Sequence, residues 1–159
     1  MDGNRVMKKR LTAIQIRYLL AIYQLNRRGS VRSSEIADSL GVSRPSTHRM
    51  LDQLMKADLI TKDKYSSIDL TESSRKTMEQ YYNGFLHISS SLHEGLDLSM
   101  DIAETGALAI LSKLDAAALK ELSMRTDPGR TEVESPAGTM QETDPAACFR
   151  RGKAAGSAR

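Results

Sequence analysis

Between Ser34 and Leu54 a helical pattern stops and restarts within three residues, and few folds tolerate that interruption. Ile36, Ala37 and Leu40 form the apolar edge of a short helix over about 34–40, and Gly41 follows as its stop. Val42 is a small apolar plug in the turn. Ser43 then caps another helix, with Pro45 in the first turn, where its missing N–H forfeits no hydrogen bond. Met50, Leu51, Leu54 and Met55 give this helix an inner face.

The flanking segments complete the pattern. Thr12-x-x-Gln15 reads as a capping box, and Ile14, Tyr18, Leu19, Ile22 and Leu25 follow at the spacing of one buried helical face. Arg27 and Arg28 suit a last turn and Gly29 a helix stop. Downstream, Leu59–Lys62 and Ile68–Leu70 alternate around Asp63-Lys64-Tyr65-Ser66-Ser67, the signature of a β-hairpin with a basic, aromatic tip. Thr71 is placed to cap a long helix ending near His93, with Met78, Tyr81, Tyr82, Phe85, Ile88 and Leu92 as its stripe and Gly95 as its stop. Two more helices are expected over about 100–110 and 113–123, the second announced by Ser112-x-x-Asp115. Residues 125–159 hold three of the four prolines, four of the ten glycines and no periodic apolar face, which predicts a disordered tail.

Helix, helix, glycine turn, helix and hairpin in this order describe a winged helix-turn-helix. The predicted fold is therefore mainly α: a winged helix-turn-helix domain with a small β-hairpin wing over 1–74, a helical dimerisation domain over 75–124, and the tail over 125–159. Ile102, Leu108, Ile110, Leu111, Leu114, Leu119 and Leu122 are more apolar surface than some fifty residues easily hide alone, which predicts a homodimer.

Charge is distributed unevenly. Residues 1–75 hold 14 Lys and Arg against 8 Asp and Glu, whereas residues 76–124 hold 3 against 7. A basic lobe suits an anionic partner, and double-stranded DNA is the partner that a winged helix fits. No apolar run approaches the roughly 20 residues that span a bilayer, and no signal-peptide core follows the basic N-terminus, so a cytoplasmic protein without a membrane partner is expected. Cys148 is the single cysteine, which excludes an intramolecular disulfide and a CxxC zinc site. The chain has no Gly-rich phosphate loop, no HExxH and no nucleophile elbow, and the prediction is that it is not an enzyme.

A helix lying in the major groove reads base edges with its N-terminal residues, while its dipole and free N–H groups favour phosphate. With Met50, Leu51 and Leu54 inward, Ser43, Arg44, Pro45, Ser46, His48, Arg49 and Gln53 belong to the outward side and are the candidate DNA contacts. Arg44 and Arg49 suit bidentate contacts to guanine or clamps on phosphate, Ser46 a phosphate or base, and Gln53 adenine or the backbone. On the wing, Lys62, Lys64 and Tyr65 suit backbone or minor-groove contact.

From Leu11 to about Leu122 the sequence resembles the DtxR/MntR family of metal-dependent transcriptional repressors. The pieces that carry the resemblance are Ser-Glu-Ile-Ala at 34–37, Val-Ser-Arg-Pro-Ser at 42–46, the wing ending Leu70-Thr71, Gly95-Leu96-Asp97 and Leu111-Ser112. It implies a repressor that binds a palindromic operator as a homodimer, with a divalent metal (manganese or iron) setting the spacing of the two reading helices. The positions at which it places the metal ligands hold Arg17, Leu20, Gly84, Thr105, Leu108 and Ala109 here, a set without a normal transition-metal ligand. A slip of one residue brings in Glu104 but no cluster. His87, His93, Glu94 and Asp101 read as solvated surface, because six residues put the two histidines on different sides of a helix. The expectation is thus a regulator with no metal site and no cofactor. Two alternatives stay open: a MarR-like regulator answering to a small molecule, and a winged-helix module for protein interaction. The Arg150-Arg151-x-Lys153 cluster of the tail suits at most weak, non-specific attraction to DNA.

Overall fold

The computed structural model describes residues 10–125. Cys148, the basic cluster at 150–153 and all of the expected tail except Arg125 lie outside the described residues. Six helices and one hairpin follow in the order α1 (Ala13–Asn26), α2 (Ser33–Leu40), α3 (Arg44–Lys56), β1 (Ile60–Lys62), β2 (Ile68–Leu70), α4 (Glu72–Leu96), α5 (Met100–Lys113) and α6 (Ala116–Arg125). The architecture is mainly α, with α1–α3 and the β1–β2 wing forming a winged helix-turn-helix and α4–α6 a helical bundle beside it. Among the described residues no helix is long and apolar enough to cross a membrane.

Helix starts follow side-chain chemistry. Thr12 and Gln15 close the capping box at α1, with Thr12 N–H donating to Gln15 Oε1 at 3.0 Å and Gln15 N–H to Thr12 Oγ1 at 3.2 Å. Ser43 Oγ accepts the Ser46 N–H at 3.3 Å to begin α3, and Pro45 occupies the first turn. At α2 the cap is reversed. The Glu35 carboxylate reaches back to accept the Arg32 N–H at 2.7 Å.

The core departs from a one-sided reading of α1. Ile16, Leu19, Leu20 and Ile22 are fully buried and Tyr18 and Ala21 nearly so, whereas Ile14, expected inside, is 59% exposed. The helix is covered on one side by α2 and β2 and on another by α4 and α5, so its buried surface is wider than a single stripe. Tyr23 meets Tyr82 of α4 with ring centroids 5.5 Å apart, a separation at which tilted aromatic pairs are attractive.

Three helix ends also differ from expectation. The long helix runs through Gly95 and stops at Leu96, with Asp97 taking the left-handed conformation (φ 52°) assigned to the glycine. Aspartate tolerates that region because its short polar side chain bonds locally. The fifth helix continues past Ser112 to Lys113. Asp115 itself starts α6, its carboxylate accepting the Ala118 N–H at 2.8 Å. The sixth helix spans Ala116–Arg125. Gly29 follows α1 at φ 139°, while Gly41 does take the left-handed position (φ 65°, ψ 33°) that turns α2 into α3.

Most of the apolar residues expected to demand a partner are used internally. Leu108, Leu111 and Leu119 are buried and Leu114 and Leu122 half-buried against the same core, leaving Ile102 (57%) and Ile110 (41%) exposed. A Cβ at Gly41 would meet nothing within 4 Å, so Gly41→Ala introduces backbone strain without a clash. Urea unfolding should show Gly41→Ala less stable by about 1 kcal/mol with an unchanged m-value.

Candidate nucleic-acid interface

The third helix is held from below and left open above. Thr47, Leu51 and Leu54 are buried, with Thr47 Oγ1 donating to the Ser43 carbonyl at 3.1 Å, and Met50 and Met55 are half-buried at the edges. Arg44, Pro45, Ser46, His48, Arg49 and Gln53 are all exposed, as the position of the inner face requires. Ser43 is exposed too, but its hydroxyl is engaged: it caps the helix and donates to Ser46 Oγ at 3.0 Å. Its part is to set the direction of the first turn that presents Arg44 and Ser46. Asp52 and Lys56 share the exposed side and were missed in the sequence, because neither belongs to the N-terminal half of the helix, where base contacts are sought.

The wing is built onto this helix by hydrogen bonds that alternation alone does not reveal. β1 and β2 pair antiparallel with Ile60 opposite Leu70, Thr61 opposite Asp69 and Lys62 opposite Ile68. Val31 adds a single bridge on the other side of β2, with the Ile68 N–H donating to its carbonyl at 2.8 Å. Asn26 Nδ2 donates to the Ile68 carbonyl at 3.0 Å and Ser30 Oγ to Ser67 Oγ at 2.8 Å, so the start of β2 is tied to the end of α1 and the α1–α2 connection. At the other end Thr71 Oγ1 lies 3.1 Å from the carbonyl of Asp58, the residue that turns α3 into β1, and accepts the Ser74 N–H at the start of α4.

At the wing tip Lys62, Lys64 and Tyr65 are exposed, Tyr65 by 85%. Asp63 sits between the lysines, yet its carboxylate turns back into the loop. Asp63 Oδ1 accepts the N–H groups of Tyr65 at 2.9 Å and Ser67 at 2.7 Å. Arg32 is a further exposed cation, standing where the bridged Val31 leads into α2. It was not among the candidate residues of the sequence. Its signal was Glu35, three residues on, which closes the start of α2.

The interior of the helical lobe bears on the six positions at which the family resemblance places metal ligands. Leu20 and Leu108 belong to the apolar core, and Gly84 is buried on α4. Arg17 is half-buried, its Nη2 donating to the Leu40 carbonyl at 3.2 Å, and Thr105 and Ala109 lie on the surface. Hydrocarbon, a guanidinium and a surface hydroxyl do not make a donor set for manganese or iron, and a divalent ion does not fit here. Among the described residues there is no group of three or more His, Cys, Asp and Glu disposed to hold a metal; Glu104 is buried on α5 without completing one. His93 Nδ1 lies 2.6 Å from the Leu98 carbonyl, at the corner between α4 and α5. Burial raises the Tyr81 hydroxyl above its ordinary pKa of 10.0, which keeps this core group neutral.

A capped third helix, a glycine turn behind it and a tethered wing beside it define a winged-helix fold of the kind used by DNA-binding regulators. The MarR family model matches residues 11–66, the stretch from α1 to the wing. Among solved structures the chain is similar to the manganese regulator SloR, with a TM-score of 0.59 and 24% identity over 70% of this chain and 52% of that one. The IdeR of T. acidophilum follows at 0.53 and 18%, over 69% and 52%, so the chain spans about half the length of both. The hypothetical protein SSo2273 of Sulfolobus solfataricus gives 0.52 and 17%, over 74% of this chain and 90% of that one. No curated protein matches. At these identities the likeness establishes a shared fold, that of the DtxR/MntR-type proteins SloR and IdeR, over most of α1–α6.

Hydrogen bonds to a carboxylate contribute about 1.5–3 kcal/mol each, and the Asp63 bonds hold only the wing tip. Asp63→Ala should therefore speed amide exchange at Tyr65 and Ser67 by roughly tenfold or more and lower the melting temperature by several degrees.

Proposed function

We propose that the chain is a DNA-binding transcriptional regulator, a repressor, that binds a palindromic operator as a homodimer. The observation that carries this reading is the open face of α3. Arg44, His48, Arg49 and Gln53 all reach solvent from a helix whose other side is locked into the core. In this reading Arg44 and Arg49 make the bidentate contacts, Ser46 and Gln53 reach base or phosphate, and Ser43 and Pro45 fix the entry of the helix. Lys62, Lys64 and Tyr65 lie on the flanking backbone or in the minor groove, and Arg32 adds a phosphate contact near the base of the wing. Residues 1–74 form the DNA-binding unit and 75–124 the dimerisation unit, in a protein that works in the cytoplasm and performs no catalysis.

Dimerisation is assigned to the outer face of α5. Ile102, Thr105, Ala109 and Ile110 recur there at helical spacing and are all exposed, and Leu96 and Met100 extend the apolar surface around the corner from α4. A twofold axis through this face would present two reading helices to half-sites about one turn of DNA apart.

A second reading, a MarR-like regulator answering to a small molecule, draws on the family match over 11–66 and on an open cleft of about 250 Å³ between α1, β2 and α4. Tyr23, Asn26, Arg27, Arg75, Lys76 and Glu79 line it, a basic and aromatic set suited to a small organic anion.

Fluorescence anisotropy with DNA from the gene's own upstream region tests the first reading, followed by a genomic selection if that fragment is not bound. Arg44→Ala and Arg49→Ala should each weaken operator binding roughly tenfold, and affinity should fall steeply with salt as counterions are released. Parent-like binding by both variants would show that α3 is not the reading helix. Light scattering should give a dimer at micromolar concentration and a monomer for Ile102→Glu. A monomeric parent would remove the dimer from the proposal.

A further inference from the structure

The helical lobe is closely packed over Gly84. A Cβ built there would stand 3.1 Å from Leu122 Cδ2, 3.2 Å from Leu111 Cδ2 and 3.6 Å from Leu119 Cδ1. Leucines from α5 and α6 thus already occupy the space into which any side chain at 84 would project. The same helices close on each other elsewhere: a Cβ at Gly106 of α5 would meet Leu92 Cδ1 of α4 at 2.9 Å. Leu111 and Leu119 share one continuous apolar cluster with Phe85 of α4 and Leu20 of α1, and Leu122 packs against it.

This cluster joins the lobes. α6 packs on α4, both α4 and α5 pack on α1, and α1 packs on α2 and β2, which carry the reading helix and the wing. A divalent ion placed at this junction would lose its hydration among hydrocarbon side chains without gaining anionic donors, a strongly unfavourable exchange.

We infer that the Leu111–Leu119–Leu122 packing over Gly84 is an internal clamp that joins α5 and α6 to α4 at a position where the family resemblance places a metal ligand, so that the DNA-binding form of the chain needs no divalent ion. DNA affinity is then indifferent to divalent transition metals and sensitive to the packing of α6. The inference rests on the DNA-binding reading and concerns the control of that binding. A ligand that does not distinguish two arrangements shifts nothing between them, however abundant it is.

The test uses the full chain and three measurements: operator binding by anisotropy in chelator and in excess manganese(II), thermal unfolding in the same two buffers, and calorimetric titration with manganese(II). The clamp predicts operator affinity equal within about twofold in both buffers, where an allosteric metal would change it by roughly 5–150-fold. It also predicts an unchanged melting temperature and no saturable heat. Leu122→Ala and the milder Leu122→Val should weaken operator binding in graded order along with a lowered melting temperature, whereas Arg49→Ala weakens binding without moving the melting temperature. Saturable, stoichiometric manganese binding, or an operator affinity raised several-fold by manganese, overturns the inference. Leucine variants that melt earlier but bind the operator like the parent reduce the packing to core structure and overturn it as well. Absence of DNA binding in every buffer overturns the proposed function and the clamp's role in it, while the calorimetry still decides for or against a metal.

Discussion

Burial of α1 on opposing sides is the constraint on which the rest of the structure depends. Ile16, Leu19, Leu20 and Ile22 have no exposed surface, and the helix carrying them touches α2 and β2 as well as α4 and α5. Each fully buried side chain of this size contributes about 1.5–3 kcal/mol, so this one helix supplies much of the apolar stabilisation of both lobes. The lobe that offers α3 to solvent and the lobe that carries the acidic helices therefore share a core. A polar group placed at Leu20 would be felt in both.

That double role explains where the sequence was legible and where it was not. Helix starts are written in side chains that bond to their own backbone, and so Thr12, Ser43 and Thr71 were readable one by one. Periodicity reports one buried face. On α1 it selected Ile14, which is exposed, and passed over Ile16 and Leu20, which fill the second interface. Gly95 was read as a stop because glycine enters the left-handed region freely, but the position that needs that conformation is two residues later and holds Asp97. The Val31–Ile68 bridge left no trace because a one-residue pairing has no period. The exposed face of α3, by contrast, followed directly from its inner face. Asp52, Lys56 and Arg32 were overlooked because attention stayed on the first turns of the reading helix and on the wing.

The comparisons divide along the same line. A family model that ends at residue 66 has seen the helix-turn-helix and the wing, which many regulators share. The structural likeness to SloR extends over 70% of the chain and takes in helical-lobe residues that the family model leaves out. Reading the two halves together matters electrostatically as well. Residues 1–75 carry an excess of basic groups and residues 76–124 an excess of acidic ones, so a polyanion is attracted to one end of the molecule and repelled from the other.

The loop between β1 and β2 has a further consequence. Five residues connect the strands, and one carboxylate, that of Asp63, binds two of their backbone N–H groups while Ser66 takes the left-handed conformation (φ 62°). Its Oδ1 is thereby engaged within the loop. The tip already has its shape in the free protein, and only the exposed side chains of the two lysines and Tyr65 have freedom left to lose. A partner that met this tip would dock on a preformed surface, without the large heat-capacity change that accompanies folding of a disordered segment on its target.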